Sequence, residues 1–214
     1  MQSPLFSQST FMSLTTRLGE LIILNLCYLL CCLPIVTIGP ATAALYTVCF
    51  RFGTPKEKGV FGSFFRAFRD NFKQGLLPGL ILLALTIFAV YFALVFYLRA
   101  GLIHYAFIPF LVLLAVILIV SALTFPLISL FENTTGTTLK NALLLGLGYL
   151  PRSLAAAVVN VLPLLMMLFF PDLFLRVGVI WFFLYFAAAA YLNTYILRPI
   201  FTPFLPKEEE DAEE

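Results

Sequence analysis

The sequence predicts an all-α membrane protein of about five transmembrane helices, with a broken first helix and a cytoplasmic interfacial amphipathic helix. Three observations carry this. Of the 214 residues, 62% are hydrophobic and 11% charged, whereas soluble domains average ~45–50% apolar and ~25% charged. The stretches 76–98, 105–131, 153–171 and 177–197 contain no charged residue, and about 20 apolar residues suffice for a helix to cross the hydrocarbon core. The third observation is an apolar run broken by proline and glycine, "LPIVTIGPATAALYTV" at 33–48.

The N-terminal 16 residues hold no Lys or Arg, so no cleavable secretory signal is expected. The first span is placed at about 18–38. Residues 21–50 are free of charge, and as one straight helix they would measure about 45 Å, more than the ~30 Å hydrocarbon core. Proline resolves the excess. Pro34 removes a backbone donor, the residues before Pro40 are biased out of helical geometry, and Pro40 can open a new helix after a turn at Gly39. The segment 41–51 then forms a short helix that does not span and lies along the cytoplasmic interface or under the bundle. Thr37, Thr42 and Thr47 supply hydroxyls for carbonyls freed at the break, which is expected to be buried in protein. Cys27, Cys31, Cys32 and Cys49 read as buried reduced thiols, because the single histidine, His104, belongs to a different membrane end and completes no metal set.

The longest polar connection ends in "FGSFFRAFRDNFKQ". At 100° per residue Phe61, Phe64, Phe65, Phe68 and Phe72 share one sector, while Arg66, Arg69 and Lys73 share another with Asp70. Such a helix places its aromatic face in the acyl boundary and its basic face toward headgroups. Gly75 and Pro78 mark the bend into the second span at 76–98. The remaining spans are placed at 105–131, 153–171 and 174–197, so residues 1–206 make one polytopic domain followed by an acidic tail at 207–214. The pattern "TLKNALLLGLGYLPRSL" echoes "SFFRAFRDNFKQGLLPGL", which suggests a parallel repeat of 18–98 and 105–171 with a fifth span added. With the first connection cytoplasmic, ten Lys and Arg lie inside and three, Arg17, Arg99 and Arg176, outside. That balance predicts an external N-terminus and a cytoplasmic C-terminus.

These residues carry a resemblance. The spacing Pro34–x5–Pro40–Ala41–Thr42–Ala43–Ala44–Leu45–Tyr46, with Thr37 and Gly39 inside it, and the later segment Phe65–Arg66–Ala67–Phe68–x2–Asn71–Phe72–Lys73–Gln74 resemble the YesL family of bacterial membrane proteins. The likeness covers about the first 80 residues; the rest agrees in length and hydropathy. It implies a multi-pass protein of the bacterial cell membrane without an established activity. It also implies an accessory role in carbohydrate uptake and utilisation, with a carbohydrate transporter or a membrane sensor kinase as partner.

The residues themselves offer no catalytic constellation. Glu20, Glu132 and Asp172 stand near different span ends, and no phosphate loop or nucleophile elbow is present. No enzyme activity, cofactor, metal or nucleic-acid partner is expected, and oligomeric state is left open. Asn25, Asn160 and Asn193 are the uncharged polar residues within spans, suited to interhelical hydrogen bonds. Two functions remain: an accessory or scaffold protein with a basic cytoplasmic docking face, and a permease for a small neutral solute such as a sugar. A polar cavity within the bundle would favour the second. From the aromatic face we predict that Phe64→Asp with Phe68→Asp abolishes accumulation in the membrane while Arg69→Asp is tolerated, read by immunoblot of membrane fractions; equal tolerance would mean that the face is not buried.

Overall fold

The computed structural model describes residues 8–54 and 59–204, and among these it contains helices and turns but no strand. Lys56, Lys58 and the acidic tail lie outside the described residues. The order is α1 (Gln8–Cys32), a 3-10 turn (Ile35–Thr37), α2 (Ile38–Arg51), α3 (Val60–Asp70), α4 (Phe72–Tyr97), a 3-10 segment (Gly101–Phe107), α5 (Ile108–Leu130), α6 (Thr135–Gly148), α7 (Leu150–Phe169), α8 (Pro171–Arg176), α9 (Gly178–Ile180), a π-helical turn (Trp181–Tyr185) and α10 (Phe186–Phe201). Five helical stretches are long and apolar enough to cross a membrane: Thr15–Cys32, Phe72–Tyr97, Ile103–Leu130, Leu150–Phe169 and Gly178–Phe204. Their outer surfaces expose Leu, Ile and Phe along their length, as on α4 at Leu85, Ile87, Phe88 and Leu94. Lipid is the solvent that such a surface needs. The chain is an all-α, multi-pass membrane protein.

The break in the first apolar region is present. Helix α1 ends at Cys32 because Pro34 holds an extended conformation, φ −76° and ψ 118°, and disfavours helix at the residue before it. The Thr37 hydroxyl lies 2.6 Å from the carbonyls of both Cys31 and Pro34; its one hydrogen is available to Cys31, because the Pro34 carbonyl already accepts the Thr37 N–H at 3.0 Å. Two expectations are corrected here. Helix resumes at Ile38, so Pro40 is its third residue and not its opening. The break is also on the outside: Leu33 and Ile35 are 77% and 64% exposed. Thr37 satisfies the carbonyls locally, so the turn can face outward with only apolar side chains displayed.

Helix α2 is corrected more deeply. It does not lie on an interface but forms the centre of the bundle, packed against α1, α3, α4, α5 and α10, with Gly39 to Ala41 and Ala43 to Cys49 buried. It runs antiparallel to α1. Tyr28 meets Thr42, their hydroxyls 3.4 Å apart, and farther down the pair the Arg17 guanidinium sits 4.3 Å above the Phe52 ring. Arg17 and Arg51 therefore belong to the same end of the bundle, not to opposite ends. Tyr191 of α10 reaches that end too, its ring 5.5 Å from Phe52, and Arg198 lines one small recess with Cys49, Phe52 and Tyr191. Gly53, at φ +74°, lets the chain turn away after α2, in a backbone region that other residues rarely adopt.

The position of α2 depends on bare backbone. A Cβ on Gly79 would stand 2.8 Å from the Gly39 Cα, one on Gly75 would stand 2.9 Å from the Pro40 Cα, and one on Gly39 would strike the Gly75 carbonyl oxygen. All three obstacles are main chain, which cannot swing aside. The same contact brings the start of α4 to α2, where Asn71 Nδ2 donates to Thr47 Oγ1 at 3.1 Å. Gln74 Nε2 then donates to the Phe131 carbonyl at 2.9 Å, tying the start of α4 to the end of α5.

Helix α3 keeps the two-sided character read from its sequence but divides its aromatic face. Phe64 is fully buried in a cluster with Leu21, Val48, Cys49 and Phe52, whereas Phe61 and Phe65 are exposed. Protein, not lipid, is the bed for half of that face. Overpacking a core costs ~1–3 kcal/mol, and here there is no side chain to yield. Gly39→Ala should therefore lower the thermal unfolding midpoint in detergent sharply. Gly19→Ala, where a Cβ meets nothing within 4 Å, should leave it unchanged or raise it; equal behaviour would show that the α2–α4 contact is loose.

Candidate functional site

Lipid cannot hydrogen-bond, so polar side chains within the bundle must find each other. Asn25 of α1 is fully buried. Its Nδ2 donates to the Phe182 carbonyl at 2.7 Å, and its Oδ1 accepts the Ala187 N–H at 2.9 Å. Those two backbone groups are five residues apart, the pair that a π-turn would join directly. Asn25 stands between them and so accounts for the widened turn at Trp181–Tyr185.

A second group lies beside it. Asn193 of α10, fully buried, donates through Nδ2 to the Tyr46 hydroxyl at 3.1 Å and to Asn160 Oδ1 of α7 at 2.8 Å. Its own Oδ1 is buried and has no hydrogen-bond partner among the described residues. Tyr46 and Asn160 form part of the wall of a cavity of about 180 Å³. The rest of that wall includes Tyr28 and Thr42, Ser121 and Phe125 of α5, and Tyr185, Phe186 and Ala189 next to or on α10. Asn160 is exposed as well as cavity-lining, which marks an opening beside α7. Tyr185 donates its hydroxyl hydrogen to the Val159 carbonyl, Ser121 to the Leu118 carbonyl and Thr42 to the Ile38 carbonyl. The Ser121 oxygen keeps lone pairs for other donors.

At the Arg51 end, an open cleft of about 680 Å³ lies between the start of α4 and the α5–α6 connection, lined by Asp70, Asn71, Lys73, Gln74, Glu132 and Thr135. Arg66 and Arg69 are exposed nearby on α3. A further groove of about 310 Å³ between α5 and α6 has a wall mostly of Leu and Phe and gathers fewer polar groups than the cavity.

The motif residues read from the sequence fall into separate places. Pro34 and Thr37 form the outward turn, and Gly39, Pro40 and Ala41 the contact with α4. Thr42, Leu45 and Tyr46 form cavity wall, and Ala43 and Ala44 are buried in α2. Phe68 and Phe72 are half-buried and in edge contact, ring centroids 5.5 Å apart. Phe65 is exposed, Asn71 ties α3 and α4 to Thr47, and Lys73 is exposed in the cleft. The structure brings Asn160 and Asn193 together, two of the three amides within spans that suit interhelical hydrogen bonds. Tyr28, Ser121 and Tyr185 were missed, since single hydroxyls in apolar runs carry no periodic signal.

The model of a protein family described only as a protein of unknown function, DUF624, matches residues 21–94. That stretch holds the break, α2, α3, the glycine contact and most of α4, the same part of the chain that bears the motifs. No curated protein and no solved structure matches the chain.

Removing the Asn25 amide would leave the Phe182 carbonyl and the Ala187 N–H buried without partners, at about 1–3 kcal/mol for each group. Asn25→Leu should lower the unfolding midpoint in detergent by several degrees or prevent accumulation; an unchanged midpoint would mean that the turn closes without it.

Proposed function

We propose that this protein is an accessory component of a bacterial cell membrane that acts by binding and not by catalysis, presenting a basic face to a partner on the cytoplasmic side. The observation that carries the reading is the return of α2 to the Arg17 end. With α2 as a return leg, α1, α2, α4, α5, α7 and α10 make an even number of passes, and both ends of the described chain lie together. Of the ten Lys and Arg among the described residues, only Arg99 and Arg176 then fall in connections on the opposite side. This split is more lopsided than the one obtained with α2 on the surface, and positive charge favours the cytoplasm. On that face, Arg66 and Arg69 flank the exposed Phe61 and Phe65 of α3. Aromatic and Arg side chains are enriched at protein interfaces. The link to carbohydrate uptake is what the YesL resemblance contributes, and it points to a transporter subunit or a sensor kinase as the partner.

A small-solute permease is the second reading, favoured by the polar cavity among α1, α2, α5, α7 and α10. Uptake of neutral sugars into proteoliposomes tests it. The accessory reading is tested by a photo-crosslinking residue at position 61 or 65 in living cells: recovery of a transporter subunit or a kinase supports it, and recovery of lipid alone overturns it. The topology is tested separately. In a background without the native cysteines, Ser3→Cys and Ala212→Cys should both be shielded from an impermeant thiol reagent in intact cells, whereas Ala100→Cys should react. Labelling of Ser3→Cys alone among the terminal positions would restore an external N-terminus.

A further inference from the structure

We propose that the cavity between Tyr28, Tyr46, Ser121, Asn160 and Tyr185 is a binding site for a small uncharged polyol, of a size from glycerol to a single sugar ring. The volume of about 180 Å³ corresponds to about six waters at ~30 Å³ each, and lies below the roughly 300–1,000 Å³ of sites for drug-sized ligands. A disaccharide is too large. The lining holds no Asp, Glu, Lys, Arg or His, and a charged ligand would lose its hydration with no opposite charge to meet it. The polar groups are mixed in kind. Ser121 spends its hydrogen on a backbone carbonyl and offers lone pairs, while the Asn160 amide on the wall carries both donor and acceptor atoms. The Tyr46 phenol accepts from Asn193 and keeps a hydrogen to donate. A hydroxyl both donates and accepts, so a polyol matches either kind of group at every position, whereas a solute that only donates or only accepts matches part of the wall. The rings of Tyr28 and Phe186, 5.6 Å apart, and of Phe125 supply apolar faces for the C–H groups of such a molecule. The proposal is independent of the docking role: a sensor subunit and a permease would each need this site.

The test is equilibrium binding of radiolabelled glycerol, erythritol, xylitol and glucose to the full chain in lipid nanodiscs, with sucrose as an oversized control and gluconate as a charged one. Saturable binding of at least one of the four, and of neither control, is expected. Asn160→Leu, which removes one of the two acceptors of Asn193 Nδ2 and leaves the other, Tyr46, in place, should weaken that binding at least tenfold. Ala189→Leu, which fills the cavity without removing a polar group, should abolish it, with thermal unfolding confirming that each variant is folded. The proposal is overturned if none of the four binds saturably, which is the result for a cavity that holds water only. Gluconate binding as well as the polyols, or an affinity unchanged by Asn160→Leu in the folded protein, would also overturn it. Should Ala189→Leu fail to fold, the Asn160 variant decides.

Discussion

The approach of α2 to α4 at Gly39, Gly75 and Gly79 is the constraint on which the rest of this bundle depends. Each of the three positions faces main chain where a Cβ would sit, so the two helices meet backbone to backbone. Between helices in lipid there is no hydrophobic drive, and close packing of small residues takes its place. That contact lets a helix of only 14 residues enter the centre of the molecule, where Ala41, Ala43 and Ala44 present little side-chain bulk to α4, α5 and α10. With α2 central, the chain returns to the end from which α1 set out. The cavity gains one wall from α2, and α3 gains a bed for Phe64.

Buried hydroxyls in the bundle turn back on carbonyls of their own helices, as at Thr47, Thr124 and Ser153, whereas the side-chain amides join elements that the chain keeps far apart. Asn25 holds the π-turn before α10, Asn71 joins the α3–α4 junction to Thr47, Gln74 joins α4 to the end of α5, and Asn193 joins α10 to α2 and α7. In a medium without water each of these bonds has no competitor, and each lost partner leaves a polar group stranded. Asn193 Oδ1 stands out against this pattern. It is a buried acceptor without a donor among the described residues, next to the polar cavity among α1, α2, α5, α7 and α10.

One helix connects the two functional features. Tyr46 of α2 is cavity wall, and the next residue, Thr47, accepts the bond from Asn71 where α3 hands over to α4. The C-terminal end of α3 is thus a single residue along α2 from the cavity wall. The geometry links the cavity wall to the helix that bears the face proposed for partner docking. The Gly39 contact, farther along α2, holds that helix against α4.

By itself the sequence determined the solvent, the class and the punctuation. Charge-free runs of span length require lipid whatever their packing. Residues 21–50 are too long for one crossing, and Pro34 has to end a helix because its ring and missing N–H act within a few residues. The periodicity of 61–72 likewise announces an amphipathic helix, being a property of the helix alone. Tertiary structure decided where these elements went. A short apolar helix after a break reads the same on an interface as in a bundle core. Only the contacts of Gly39 with Gly75 and Gly79, and of Arg17 with Phe52, set its direction and hence the side on which Arg17 lies. Pairing of Asn25 with Phe182 and Ala187, or of Asn160 with Asn193, joins residues distant in the chain, and no local pattern encodes such a meeting. The cavity belongs to the second kind of knowledge, because its walls come from five helices that share no sequence signal and meet only when the bundle closes.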